Sequence, residues 1–328
     1  MSTSPFTRSG SPARRGWRRC RRAGTQLPAL VAALACCGLL AGAAGCSRSW
    51  SGRALEEVVD AAGRGEKRAL RELVNRFGHP DPALSQQAWE AAVKIGAPTV
   101  PELLRGLESG DRSVSEHAAG ALGAMGAKEG VDGLIAALGR KDFRRYVAAW
   151  ALGEIGDPRA IPALVLALGD QDGETRKFAT RSVTKFGPQA VDALLAALAD
   201  PSPLVRRYAV RALGQLQVKQ AVEPLLQLEG KVDAEVLLWA LGRIGDPRAL
   251  PLLEKTAGEQ EWRVRLAAVQ ALGDLADPGA VPQLRRALED PEWIVREWAA
   301  RGLESVTGER VTYRDQRGEQ VVPYSLYR

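Results

Sequence analysis

The chain has 328 residues, with 45 Lys and Arg against 39 Asp and Glu, few aromatic residues and four cysteines. The formal charge of +6 is unevenly placed: residues 1–45 hold seven arginines and no acid, and the rest of the chain balances 38 basic against 39 acidic residues. That near-neutral remainder argues against the basic surface of a nucleic-acid binder. Cys20, Cys36, Cys37 and Cys46 all precede residue 47, and the histidines are His79 and His117, which excludes the usual zinc and haem ligand sets and any disulfide in the later chain.

Residues 1–45 read as a targeting segment, an arginine-rich start followed by an apolar run from Leu27 to Ala44. The run ends in Leu40-Ala41-Gly42-Ala43-Ala44-Gly45-Cys46, which resembles a bacterial lipoprotein lipobox, with Ala43 where that family prefers leucine. The resemblance implies cleavage behind Gly45, a lipid on Cys46 and an exported, membrane-anchored protein; Ser47 resembles outer-membrane sorting, with the protein facing the periplasm. An ordinary signal peptide and an uncleaved anchor are the alternatives, the second weakened by Pro28, Gly38 and Gly42 within the run. Residues 46–68 are a linker and a capping helix around Leu55-Glu56-Glu57-Val58-Val59.

From residue 69 to 306 the chain repeats. Leu152-Gly-Glu-Ile-Gly-Asp-Pro-Arg-Ala-Ile-Pro162 returns as Leu241-Gly-Arg-Ile-Gly-Asp-Pro-Arg-Ala-Leu-Pro251, and again from Leu272 to Pro282. The opening positions are Ala92, Leu122, Leu152, Val183, Leu213, Leu241, Leu272 and Leu303, spaced by 30, 30, 31, 30, 28, 31 and 31 residues. Such a period marks a stacked array of supersecondary units. The copies read as a helix end, at Gly156 or Gly245 in the first two, an N-cap at Asp157, Asp246 or Asp277, and a new helix opened by proline. Apolar residues recur every three or four positions on both flanking helices. The expected fold is all-α, an α-solenoid of about eight helical hairpins. A row of alanines (88, 118, 148, 179, 209, 268 and 299) is expected to let neighbouring helices approach closely. The unit around 219–244 is two residues short and has Ala234 where others have arginine, so a kink is expected there.

The register of proline, aspartate eight residues on, then Val-Arg, complete in Pro282, Asp290, Val295 and Arg296, resembles HEAT repeats, in particular the short phycobilisome-lyase type. Asp170/Arg176 and Asp200/Arg206 follow the pattern with one departure each, and Glu259/Arg265 has glutamate for aspartate. These acid–arginine sets are expected to tie repeats together. Residues 307–328 leave the register; Val311, Tyr313, Val321 and Val322 around Asp315–Gly318 suggest a small hairpin or a tail.

No phosphate loop, nucleophile elbow or His-Glu-x-x-His pair is present. The reading is therefore no enzyme, no metal and no cofactor, with His117 structural. A more informative pattern lies two and six residues before each opening position, one stripe of the second helices. It places Tyr146 and Trp150, then Lys177, Arg181, Lys185, Arg207 and Arg211, then Trp239 and Arg243 along one face, which in HEAT-like arrays is the concave one. Exposed aromatic and arginine side chains are what binding hot spots use. The expected function is an envelope-anchored protein-binding scaffold whose partner carries an acidic segment. The alternatives are a lyase-type or other enzyme on this scaffold, a nucleic-acid-binding HEAT-like protein, or aromatics that simply pack on neighbouring helices.

Overall fold

The computed structural model describes residues 49–323. The targeting segment and Cys46 lie outside the described residues. All helices among the described residues belong to the compact unit that begins at Arg53. Helix α1 (Leu55–Gly63) stands first and packs on α2 and α3. Eight helix pairs follow: α2 (Lys67–Asn75) with α3 (Pro82–Ile95), α4 (Val100–Leu107) with α5 (Arg112–Ala124), α6 (Val131–Ala137) with α7 (Arg145–Ile155), and α8 (Ile161–Ala167) with α9 (Gly173–Lys185). Then come α10 (Val191–Ala197) with α11 (Pro203–Gln215), α12 (Val222–Leu226) with α13 (Ala234–Ile244), α14 (Leu250–Thr256) with α15 (Trp262–Leu275), and α16 (Val281–Ala287) with α17 (Trp293–Thr307). The fold is an all-α solenoid. Among the described residues no helix is long and apolar enough to cross a membrane.

Local chemistry sets the ends of these helices. Gly156 and Gly245 close α7 and α13 in the left-handed region, at φ 68° in both. Asp157, Asp246 and Asp277 then accept from the amides of Arg159, Arg248 and Gly279. The segment they cap is a separate 3-10 turn, Pro158–Ala160 in the first case, and the α-helix starts only afterwards at Ile161. Second helices carry their own caps, such as Asp111 on the amides of Ser113 and Val114. Short acceptors at these positions satisfy amides that the helix leaves unpaired.

The opening residues from Leu122 to Leu303 are the axis of the core, all at most 1% exposed. The alanine row is equally buried, yet the closest approach is made one face over. The residue after each opening position is Gly123, Gly153, Gly214, Gly242 or Gly273, and it faces Ala151, Ser182, Ala240, Ala271 or Gly302 of the next second helix. A Cβ at Gly123 would stand 2.6 Å from Ala151 Cα, and one at Gly242 would stand 2.7 Å from Ala271 Cα. No side chain fits there, so backbone meets backbone. Two of the second helices that have a successor lack the glycine: α3 has Val93 and α9 has Thr184. They are the two that pack less closely on their successors, α5 and α11. At the short unit Gly214 and Gly242 keep α11, α13 and α15 close, and the looser contact between second helices falls one pair earlier.

Arginines lock the turns. Arg265 Nε and Nη2 reach Asp290 at 2.7 and 3.0 Å, and Arg145 binds Asp170 in the same two-pronged way. The acid thus belongs to the following repeat, while Arg265 Nη1 donates to the carbonyls of Glu259 and Gln260 in its own turn. Planar, two-pronged pairing suits guanidinium and carboxylate. Arg296, last of the row, donates instead to the carbonyls of Arg314 and Asp315. It thereby docks an antiparallel hairpin, β1 (Tyr313–Arg314) with β2 (Gln320–Val321), on the end of the array.

Gly242→Val should lower unfolding stability by roughly 1–3 kcal/mol, the usual range for overpacking, whereas Thr184→Val should leave the urea midpoint nearly in place. The Arg248 side chain holds the Asp246 carboxyl down from 3.8 to about 2. A depressed carboxylate stabilises the fold above its unfolded value and ceases to as pH falls through the folded one. The stability difference between wild type and Asp246→Asn should therefore be constant above pH 4 and vanish as pH falls from 3.8 to about 2, as urea midpoints across that range would show.

Candidate protein-binding face

The face is built by the stripe of second-helix side chains turned away from the alanine row. On α9, Lys177 and Arg181 are exposed; on α11, Arg207 and Arg211 are exposed. Lys177 pairs with Glu174 of its own helix at 2.7 Å, and Arg207 lies 3.6 Å from Asp233. Lys185 reaches back to Glu154 on α7 at 2.6 Å. Arg181 and Arg211 have no acidic partner among the described residues. The Arg211 guanidinium lies over the Trp239 ring at 5.6 Å, a contact that orients a cation without neutralising it.

Beyond Arg211 the face opens into a cleft of about 640 Å³ across α11, α13, α15 and α17. Its walls include Trp239, Trp262 and Trp298 together with Arg207, Arg211 and Arg263. Trp262 is 37% exposed, and the Arg263 guanidinium sits 5.3 Å from its ring centroid. Arg301 lies 5.0 Å over Trp298. At one edge, desolvation pushes the Asp274 carboxyl above its ordinary value, with Arg243 acting in the opposite sense. Indole faces beside the guanidinium groups of Arg211 and Arg263 offer both apolar area and acceptor recognition.

The structure brings Lys177, Arg181, Arg207, Arg211, Trp239 and Arg243 to this face. It does not bring all the aromatics. Trp150 is only 7% exposed, with its Cζ3 3.2 Å from where a Cβ on Gly123 would lie. It fills the space left by that glycine, so the expected exposed anchor is a packing residue. Trp239 covers Gly214 in the same manner but stays half-exposed. Tyr146 is half-buried and stacks on Phe178, with centroids 5.5 Å apart. Trp262 and Trp298 were missed. Trp262 lies ten residues before Leu272, one further turn along the stripe defined by the positions two and six residues before each opening residue, so extending that stripe by a turn reaches it.

His117 is a structural residue: its Nδ1 lies 2.8 Å from the Ser113 carbonyl oxygen, its ring 6.0 Å from Phe77, and burial pushes its pKa down. Among the described residues no three metal-ligating side chains cluster.

The family model for HEAT repeats matches residues 100–182, 161–237 and 229–304. The chain belongs to the HEAT-repeat family. No curated protein sequence matches this HEAT-repeat chain. Among solved structures it is similar to Kap121p, at 13% identity and a TM-score of 0.58 over 77% of this chain and 35% of that one. It is also similar to Kap95p in a structure with RanGDP, at 14% identity and a TM-score of 0.56 over 77% of this chain and 42% of that one. The HEAT-repeat array thus spans well under half of each of those proteins, and the likeness is one of fold. The CpcE–CpcF phycocyanin lyase complex from Nostoc is 27% identical over 63% of this chain and 76% of that one, at a TM-score of 0.31.

Proposed function

We propose that this HEAT-repeat array is a non-enzymatic protein-binding scaffold whose second-helix face holds an acidic segment of a partner protein. The observation that carries the reading is the juxtaposition of Arg211, which lies over Trp239 without an acidic partner among the described residues, with the Trp239–Trp262–Trp298 cleft, and the exposed Arg181 at the equivalent position of the preceding second helix. Arginine and tryptophan are the residues most enriched at sites that dominate binding energy. Carboxylates of the partner take the guanidinium groups, and an apolar side chain beside them fills the cleft. Kap95p, which shares the fold, binds RanGDP. The proposed anchor is a lipid on Cys46, which would hold the array at the cell envelope; this part rests on the lipobox resemblance alone.

The test is fluorescence anisotropy with a labelled peptide that joins a glutamate run to a tryptophan. Trp262→Ala should weaken binding by about 2 kcal/mol, roughly 30-fold, and Arg181→Glu/Arg211→Glu should weaken it further. Unchanged affinity in both variants would contradict the reading. For the anchor, metabolic labelling with palmitate should mark the protein and be lost in Cys46→Ser, along with its recovery in the membrane fraction. Unlabelled protein in the soluble fraction would contradict it.

A further inference from the structure

The eight pairs meet at seven junctions, and they are not equally secured. The first is crossed by Arg71–Glu102 and by Trp89 Nε1 on the His117 carbonyl, the second by Arg144–Glu116. Arg145–Asp170 and Lys185–Glu154 cross the third. Gln217 Nε2 on the Arg243 carbonyl crosses the fifth, Arg248–Glu223 and Lys255–Glu229 the sixth, and Arg265–Asp290 the seventh. The fourth, between α8–α9 and α10–α11, is different. Among the described residues no side-chain hydrogen bond or ion pair crosses it.

Three substitutions within the repeat account for this. Thr184 replaces the glycine that brings successive second helices together, and α9 and α11 pack less closely. Gln189 stands where Arg159 and Arg248 clamp the preceding repeat. Arg176 should bind Asp200 as Arg145 binds Asp170, but it lies over the Tyr208 ring at 5.5 Å and its buried Nε has no acceptor. The same junction carries like charge on both sides of its exposed face. Lys177 and Arg181 on α9 stand at the positions equivalent to Arg207 and Arg211 on α11. Helix spacing of 8–10 Å puts them within a Debye length of one another. Their acidic partners, Glu174 and Asp233, belong to α9 itself and to the N-cap of α13, so neither bridges the two helices.

We propose that the α9–α11 junction is the hinge of the array and that an anionic partner segment laid across Lys177, Arg181, Arg207 and Arg211 closes it. The closure half rests on the binding reading above; the hinge half stands on the junction alone. A hinge needs an interface with few interactions to break, and a ligand shifts it only if it binds one state better. Carboxylates that bridge the two helices do so, because they replace repulsion across the gap with attraction in the closed state. Coupling is reciprocal: tightening the junction by Thr184→Gly should raise affinity for the anion.

The experiment is spin-label distance measurement on the full chain, with the four native cysteines replaced by serine. One label pair spans the hinge, at the exposed positions Ala136→Cys on α6 and Ala196→Cys on α10; a control pair, Ala196→Cys with Glu254→Cys on α14, spans two other junctions. The hinge pair should give the broader distribution, narrowing on addition of polyglutamate and also in Thr184→Gly without it. Polyglutamate affinity, read in parallel by anisotropy, should rise in Thr184→Gly. Equal widths for the two pairs would overturn the hinge. Polyglutamate that binds without narrowing the hinge pair would overturn closure and leave the binding reading standing. Absence of polyglutamate binding in both proteins would overturn closure together with that reading.

Discussion

The contact on which this array depends is the meeting of a glycine on one second helix with a small residue on the next. It removes the side chains that would otherwise hold the helices apart and lets each opening leucine enter a closed core. In a solenoid each unit touches only its neighbours, so stability is approximately a chain of unit and interface terms. A single residue that weakens one interface is therefore felt locally. Thr184 is such a residue, and the missing Arg176–Asp200 rung and Gln189 fall at the same place.

The same geometry explains what the second helices present. Once one face of a helix is given over to the alanine row, the opposite stripe, which borders the glycine contacts, is free of packing duty except where a neighbouring glycine leaves room. Trp150 occupies such room over Gly123 and is buried. Trp239 covers Gly214 yet stays half-exposed beneath Arg211. Beyond it, Trp262 and Trp298 have no such space to fill and line an open cleft. The face is thus a product of the packing rule: large side chains are drawn into it wherever they are not needed to plug a gap.

Much of this was legible in the chain itself. The helix pairs were, because their signals are local: a period near thirty residues, Asp caps, prolines in first turns, and apolar spacing of three and four. The arginine row was legible as a tie, but not the partner it takes, since Arg265 reaches the acid of the following repeat instead of the one six residues earlier. Depth was not legible. Trp150 and Trp239 hold equivalent positions, and only placing α5 beside α7 shows that the first is covered. The role of Thr184 was hidden for the same reason, because the function of the glycines appears only when two helices are seen together.

The central claim is that the Arg211–Trp262 face, and not another surface, receives an acidic protein segment. Site-specific photo-crosslinking in cells tests it directly. A benzophenone side chain would replace Gln270, inside the cleft, or Leu166, on α8 and 70% exposed. The account predicts a protein adduct from position 270 whose linked peptide is rich in aspartate and glutamate, and none of that peptide from position 166. Adducts confined to position 166, or an adduct at 270 made to nucleic acid, would contradict it.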